Sequence, residues 1–366
     1  MAKETENRKA EHIRISLSEN VQARATTGFE DIHFIHSALP EINKQEIDLS
    51  TNFFNHKFAA PIIAGALTGG TDEATKINAN IAQAVEELNL GMGVGSQRAA
   101  IEDRRLEKTF AIVRKKAPNA FLIANIGGIQ LVNGYGIKEV KKAIEMIDAD
   151  AIAVHLNALQ EAAQPEGQTN FRGVLERIEK ITDELDLPVI AKETGAGISV
   201  EDAEKLEGAG VRGIDVSGVG GTSFAAVEYY RARDHKNSCQ RRLGEVFWDW
   251  GIPTALSIIE ISQTVKISVI ASGGIRNGVD TAKSLALGAD LASLSQPVLE
   301  ASVKGVEETK NMLSLLLEEL RNAMFLVGAD SIQTLMKRPL VITGRTADWL
   351  RARGFDVGVY ARRRRD

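Results

Sequence analysis

Ala151-Ile152-Ala153-Val154-His155-Leu156-Asn157-Ala158-Leu159-Gln160-Glu161 changes character abruptly in its middle. Ala151 to Val154 is a short apolar run, the pattern of a strand buried on both faces. His155, Asn157, Gln160 and Glu161 then follow within seven residues. A buried strand that ends this way delivers an imidazole, two amides and a carboxylate to one mouth. One polar strand end meeting water would need no explanation, because loops are ordinarily polar. The segment gains weight only if other strands end at the same place.

Seven more apolar runs have the same look, at 61–65, 90–95, 120–126, 188–192, 213–216, 268–271 and 289–294. Between them lie segments with helical periodicity, at 73–88, 103–117, 138–147, 174–185, 200–209, 255–265, 279–287 and 303–327. In the first of these, Ile77, Ile81, Ala84, Val85 and Leu88 share one face. Gly91, Pro118, Pro188, Gly210 and Gly288 stand near the expected helix ends. Eight strand–helix units predict an α/β chain folded as a closed (β/α)8 TIM barrel over 61–327. An open doubly wound sheet usually stops at fewer strands. Residues 1–60 read as an N-terminal extension, and 328–366 as C-terminal helices with a basic tail. The connection at 217–253 is long enough to carry structure of its own.

Composition excludes several classes. The chain has 366 residues, 44% hydrophobic and 25% charged, with a net charge of -5. That gives no global attraction to nucleic acid or membrane. Cys239 is the only cysteine, so intrachain disulfides and cysteine zinc clusters are impossible. The charged residues 1–14 lack the apolar core of a signal peptide, and no run is long enough for a membrane span. A cytoplasmic location is expected. The four arginines at 362–365 read as a solvated tail.

All eight expected strands end in polar or glycine-rich sequence. Ala66-Leu67-Thr68-Gly69-Gly70, Ser96-Gln97-Arg98, Asn125-Ile126-Gly127, Lys192-Glu193-Thr194-Gly195, Ser217-Gly218, Gly273-Gly274-Ile275-Arg276 and Ser295-Gln296 join the opening segment. In a barrel these ends meet at the active-site face. Gly273-Gly274-Ile275-Arg276, ahead of a helix, suits a phosphate approached by backbone N–H groups, and Gly220-Gly221-Thr222 could close the same cradle. Lys192 is open to three readings: a Schiff-base amine, a cation that stabilises an anion such as a reduced flavin, or an ion-pair partner of Glu193 or Glu161. Glu161 suits Mg²⁺, which keeps waters and shares phosphate oxygens. Arg8, Lys9 and His12 read as a solvated face unless the arm folds over a polyanion.

The ordered set of these motifs resembles the type 2, FMN-dependent isopentenyl-diphosphate delta-isomerases. The matching pieces are Arg8-Lys9 with His12, Leu67-Thr68-Gly69-Gly70, Gly95-Ser96-Gln97-Arg98, Asn125-Ile126-Gly127, His155-Leu156-Asn157 with Gln160-Glu161, and Pro165-Glu166-Gly167. They continue through Lys192-Glu193, Asp215-Val216-Ser217-Gly218 with Gly220-Gly221-Thr222, Trp250-Gly251-Ile252-Pro253-Thr254 and Ser272-Gly273-Gly274-Ile275-Arg276. The strand-four segment is the most specific. Leu67 and Ala196 depart from residues common in the family.

The resemblance implies that Ala66, Leu67, Thr68, Ser96, Asn125, Lys192, Ser217, Thr222, Gly274, Ile275, Arg276, Ser295 and Gln296 hold FMN. Arg8, Lys9, Ser96, Gln97, Arg98, His155, Asn157 and Gln160 would hold a small-molecule diphosphate, making 1–60 a substrate-binding arm. Gln160, Lys192 and His155 would be catalytic, and Glu161 would bind Mg²⁺. The implied reaction moves a double bond by proton addition and elimination on reduced FMN, with NADPH only priming the flavin. The family tends to form homotetramers or octamers. Three other readings compete: a 2-hydroxy-acid oxidase, a Schiff-base aldolase and a non-catalytic flavin-binding protein. The first would need a His-Gly-Gly after strand six, where Gly218-Val219-Gly220-Gly221 stands.

Overall fold

A computed structural model describes residues 2–364, with side chains described from Asn7 onward. Eight parallel strands close into a barrel: β1 (Ile62–Ala64), β2 (Gly91–Gly93), β3 (Phe121–Gly127), β4 (Ala151–Leu156), β5 (Val189–Glu193), β6 (Gly213–Asp215), β7 (Ser268–Ala271) and β8 (Leu291–Leu294). Each coincides with an expected strand. They are short and buried, and residues such as Ile62, Ile152, Val154, Val189 and Ile214 pack into the main core with the surrounding helices. The (β/α)8 TIM barrel is thus the observed architecture.

The register matters for function. Gly127 pairs with His155, His155 with Lys192, and Lys192 with Asp215, so one row crosses β3, β4, β5 and β6.

The bottom of the barrel is plugged. A hairpin of Thr51–Phe53 and His56–Phe58 precedes β1. Its two turn residues, Phe54 and Asn55, have φ of 46° and 64°. Two positive φ values in a two-residue loop match the twist of a type I′ hairpin, and Phe54 is an unusual occupant. Phe53 and Phe58 pack on Phe121 with ring centroids 6.0 and 5.5 Å apart.

Several elements depart from expectation. The span expected as one helix over 103–117 holds a 3-10 turn at Arg104–Leu106 and a helix at Lys108–Lys116, and a separate short helix, Arg98–Glu102, precedes it. Asp103 separates the short helix from the turn by going extended and accepting from the Arg105 backbone N–H. The long connection after β6 holds two helices, Phe224–Asp234 and Ser238–Val246. At the C-terminal end, Leu340–Ile342 pairs antiparallel with Ile32–Phe34, a strand pair that apolar patterning did not reveal. The basic tail is also not simply solvated. Arg363 donates to the Ala286 carbonyl at 2.7 Å and lies over the Tyr360 ring, while Arg362 meets Asp356. Arg365, the last of that run, lies outside the described residues.

Phe121 is 1% exposed and has three aromatic neighbours, Phe53, His56 and Phe58. Phe121→Ala should therefore cost about 3–5 kcal/mol of unfolding free energy. Urea denaturation followed by circular dichroism measures it, and a loss below about 1 kcal/mol would show that the plug is loosely packed.

Candidate active site

Parallel closure brings the strand ends to one rim, and a large cavity opens there. Its charged lining residues are Arg8, Lys9, Arg98, Lys192, Arg276 and Glu161. Five cations against one carboxylate, in a chain of net charge -5, mark a site for an anion.

The arm forms the lid. Helix Ala2–Ser18 lies across the mouth and places Lys9 Nζ 2.6 Å from the Ser96 carbonyl oxygen. Ile15 is fully buried against Val227 and Trp248. Polar contacts hold the rest. His12 is 2.9 Å from Glu228, and Arg231 binds Glu11 at 2.9 Å, Glu228 at 2.6 Å and Glu166 at 2.9 Å. Arg231 therefore ties together the arm, its own helix and the loop after β4. Burial pushes the Glu228 carboxyl up, but His12 and Arg231 outweigh it and hold the group below the usual carboxylate range. The Arg8–His12 segment is thus a docked face rather than a solvated one.

The β3–β4 wall is tautomer-specific. Asn125 donates its amide N–H to the Val94 carbonyl at 3.0 Å, which turns its oxygen toward His155 Nδ1 at 2.8 Å. Nδ1 is then the protonated nitrogen, and Nε2 keeps its lone pair. Burial, with Lys192 and Lys9 nearby, lowers the His155 pKa to about 4, so the ring is neutral at pH 7.

Beyond β4 the chain turns into helix Ala158–Ala163. Asn157 is its N-cap rather than a strand residue sharing a face with His155. Its amide donates to Glu161 at 3.0 Å and to Gln160 at 3.2 Å. Glu161 also accepts from Gln164 at 2.6 Å and from the Gln168 backbone at 2.7 Å. The amide oxygens of Asn157 and Gln164 are buried without a partner. Both Glu161 oxygens thus face N–H donors; turning the Asn157 and Gln164 amides over would present their oxygens beside the carboxylate, a donor set for a hard cation. Among the described residues, no group of three or more His, Cys, Asp or Glu side chains suits a metal.

Lys192 pairs with Asp215 at 3.1 Å and donates to the Glu193 carbonyl at 3.0 Å. Neither carboxylate expected as its partner is the one found. Glu193 instead turns to accept from the backbone N–H groups of Thr194, Gly195 and Ala196, and burial raises its pKa to about 7.

The opposite side of the mouth presents backbone donors that suit an anion. The backbone N–H groups of Thr222, Gly273, Gly274 and Ile275 have no acceptor among the described residues, and all four residues line the cavity. Such convergent N–H groups form an anion nest. Gly274 has φ +77°, and a Cβ there would strike Gly220, so only glycine keeps the two turns in contact. Arg276 and Gln296 stand beside the nest, cross-linked by Gln22, whose oxygen accepts from Arg276 at 2.8 Å. Thr222 donates to Gln296 at 2.9 Å.

Every residue assigned above to the site lines the cavity except Gln97. Gln97 is fully buried; its amide donates to the Ala143 carbonyl and accepts from the Asn125 N–H, each at 2.8 Å. It braces the wall and does not reach a ligand. Asp215, Ser272, Gln22, Glu228 and Arg231 were missed as site residues. Asp215 carried a signal, a carboxylate ending an apolar strand. Glu228 and Arg231 did not, since an i,i+3 acid–base pair reads as helix surface.

Arg231→Met leaves Glu228, fully buried, without its guanidinium. The expected cost is about 3–5 kcal/mol, with undocking of the arm. Limited proteolysis should then cut within the first 18 residues well before the barrel; an arm as resistant as in the unaltered protein would refute the clamp.

Residues 133–342 match the family model of the FMN-dependent dehydrogenases. The isopentenyl-diphosphate delta-isomerase of Methanothermobacter thermautotrophicus is 50% identical over 357 residues, 98% of this chain and 99% of that protein. That of Pyrococcus furiosus is 52% identical over 365 residues, 98% of this chain and 91% of that one. Among solved structures, a protein described as a lactate oxidase of Pediococcus acidilactici superposes with a TM-score of 0.65 at 19% identity, covering 94% of each chain. A mandelate oxidase variant with a monooxide FMN adduct gives 0.59 at 20% identity, covering 87% of this chain and 90% of that one. These two likenesses concern the fold.

Proposed function

The chain belongs to the FMN-dependent isopentenyl-diphosphate delta-isomerases, and from that premise we propose how its barrel mouth divides the work of interconverting isopentenyl and dimethylallyl diphosphate. The observation that carries the division is the separation of two anion-holding ends. The nest of Thr222, Gly273, Gly274 and Ile275 with Arg276 lies toward β6–β8, while Arg8, Lys9 and Arg98 lie under the arm. FMN fits the first end through its phosphate, with Ala66 to Thr68, Asn125 and Lys192 at the ring. The substrate diphosphate fits the second.

When bound and reduced, FMN supplies an electron-rich ring able to stabilise a tertiary cation and carry a proton. Moving the double bond requires protonation at one carbon and deprotonation at another. Lys192 holds the negative charge of the reduced ring. Gln160, a neutral amide, orients or relays a proton. His155, neutral with Nε2 unprotonated, accepts a hydrogen bond at that atom rather than adding a cation. Glu161 would hold Mg²⁺, which would neutralise the diphosphate, with Asn157 and Gln164 beside it as amides able to turn an oxygen inward. Ile13, Leu67 and Phe224 line the cavity beside these groups and exclude water from the hydrocarbon. The reaction is redox-neutral, so NADPH serves only to reduce the flavin. The 2-hydroxy-acid oxidase reading loses its support, since relatives at half identity over the full length carry the isomerase name.

The partner is a small diphosphate ester, not nucleic acid. The family resemblance supports a homo-oligomer, a tetramer or octamer. No helix among the described residues is long and apolar enough to cross a membrane, and a cytoplasmic site of action suits a water-soluble diphosphate substrate.

The decisive assay supplies isopentenyl diphosphate to the FMN-loaded protein. Dimethylallyl diphosphate should form after anaerobic reduction with Mg²⁺ present, and not with oxidised FMN under air. Equal rates in both states, or no effect of chelating Mg²⁺, would sink the scheme.

Lys9 adds a proton-linked prediction. Burial, with Arg8 and Arg98 beside it, lowers its pKa to about 7. At pH 8 the free protein holds it mostly neutral, and a bound diphosphate restores the proton. Calorimetry in buffers of different ionisation enthalpy should show proton uptake at pH 8 that fades toward pH 6. Lys9→Arg should abolish it, and identical uptake in the variant would assign the proton elsewhere.

A further inference from the structure

Lys192 is held from beneath by a carboxylate that no ligand reaches. Asp215 is 6% exposed and does not line the main cavity; with Lys192 it borders a smaller cavity inside the barrel below. Their side chains are direct register partners on β5 and β6. The pairing therefore comes from the strands themselves and not from a loop.

The second oxygen of Asp215 does something different. It accepts from the Ser272 hydroxyl, and that hydroxyl accepts in turn from the Ser217 backbone N–H at 2.9 Å. Ser217 has φ 39°, a left-handed conformation that a residue with a side chain adopts only under constraint. Its carbonyl is pinned as well, by the Gly197 N–H at 3.0 Å. Ser217 opens the turn that leads through Gly220-Gly221 to Thr222 of the phosphate nest. Ser272 immediately precedes the other turn, Gly273-Gly274.

We propose that Asp215 is a positioning residue with two separable tasks: one oxygen fixes Lys192 and tempers its charge toward the flavin ring, and the other, through Ser272, locks the strained Ser217 turn that cradles the flavin phosphate. This rests on the assignment of FMN to the mouth, and it explains two things that assignment leaves open. Lys192 is mostly buried, at 12% exposure, yet it must point at one place; a compact ammonium on a flexible stem needs a fixed counter-charge to do so. The ring end and the phosphate end also sit on different strands, and the Lys192–Asp215–Ser272–Ser217 relay is the direct polar link between them.

The two tasks predict a double dissociation. Apo-protein is titrated with FMN by fluorescence, and the midpoint potential of the bound flavin is measured against an indicator dye. Ser272→Ala breaks the link to Ser217 and leaves the Lys192 pair intact. FMN affinity should fall about 10- to 100-fold, the worth of one charge-assisted hydrogen bond, with little change in potential. Asp215→Asn can still accept from Ser272 but removes a negative charge near the ring. The potential should rise, affinity should fall less than in Ser272→Ala, and Asp215→Glu should bring the potential back toward that of the unaltered protein.

An unchanged potential in Asp215→Asn, or unchanged FMN affinity in Ser272→Ala, would overturn the proposal. If Asp215→Asn is not recovered folded, Ser272→Ala decides alone. Neither readout involves isopentenyl diphosphate, so failure of the isomerase scheme and failure of this relay are distinguishable.

Discussion

Closure of eight strands in parallel is the constraint on which the rest depends. A parallel barrel has one rim where all strands finish, and side chains there cannot avoid one another. The register then decides which ones meet. Gly127, His155, Lys192 and Asp215 lie in one row across four strands. The absence of a side chain at Gly127 leaves room for the imidazole next to it: a Cβ there would come within 2.9 Å of His155 Nε2.

Crowding basic groups into such a space is unfavourable, and the chain resolves the problem in two ways. Some cations receive a carboxylate: Lys192 has Asp215, and Arg231 has Glu11, Glu228 and Glu166. Others give up charge, as Lys9 and His155 do through burial. The first kind is held in place by its partners. The second changes protonation when an anion arrives. Positive charge around the mouth is thus of both kinds, and they are interleaved: neutral His155 sits beside paired Lys192 on neighbouring strands, and the arm carries Lys9 while Arg231 clamps it.

The fold was legible because it is written in short-range pattern. Eight apolar runs separated by amphipathic helices specify a barrel even though helix ends shift, as after Asp103, where the expected helix begins as a 3-10 turn and turns α-helical only at Lys108. Most of the mouth was legible too, since position at a strand end is a sequence property. Three kinds of feature were not. Gln97 sits among residues that reach the cavity, yet its amide is used to brace Ala143 and Asn125, and only packing shows that. The Arg231 clamp joins residues 11, 166, 228 and 231, a contact between distant segments that no local pattern announces. The pairing of Ile32–Phe34 with Leu340–Ile342 is equally non-local. Lys192 lay between these extremes: its importance was readable, but its partner was not.

That pairing, with the seam between β8 and β1, orders events during synthesis. Ile62 to Ala64 can pair with Gly91 and Met92 early, but their other edge finds its partners only when Ala292 to Leu294 emerge, and Ile32–Phe34 must wait longer still. Ile15 of the arm has its packing surface near Val227 and Trp248. At about 5–20 residues per second, the first-made segments spend tens of seconds without their neighbours. For that interval β1 is an apolar edge with unpaired backbone groups, open to association with other chains. The N-terminal half of this protein is thus made early and finished last, so its yield in a cell depends on what shields that edge while the ribosome is still working.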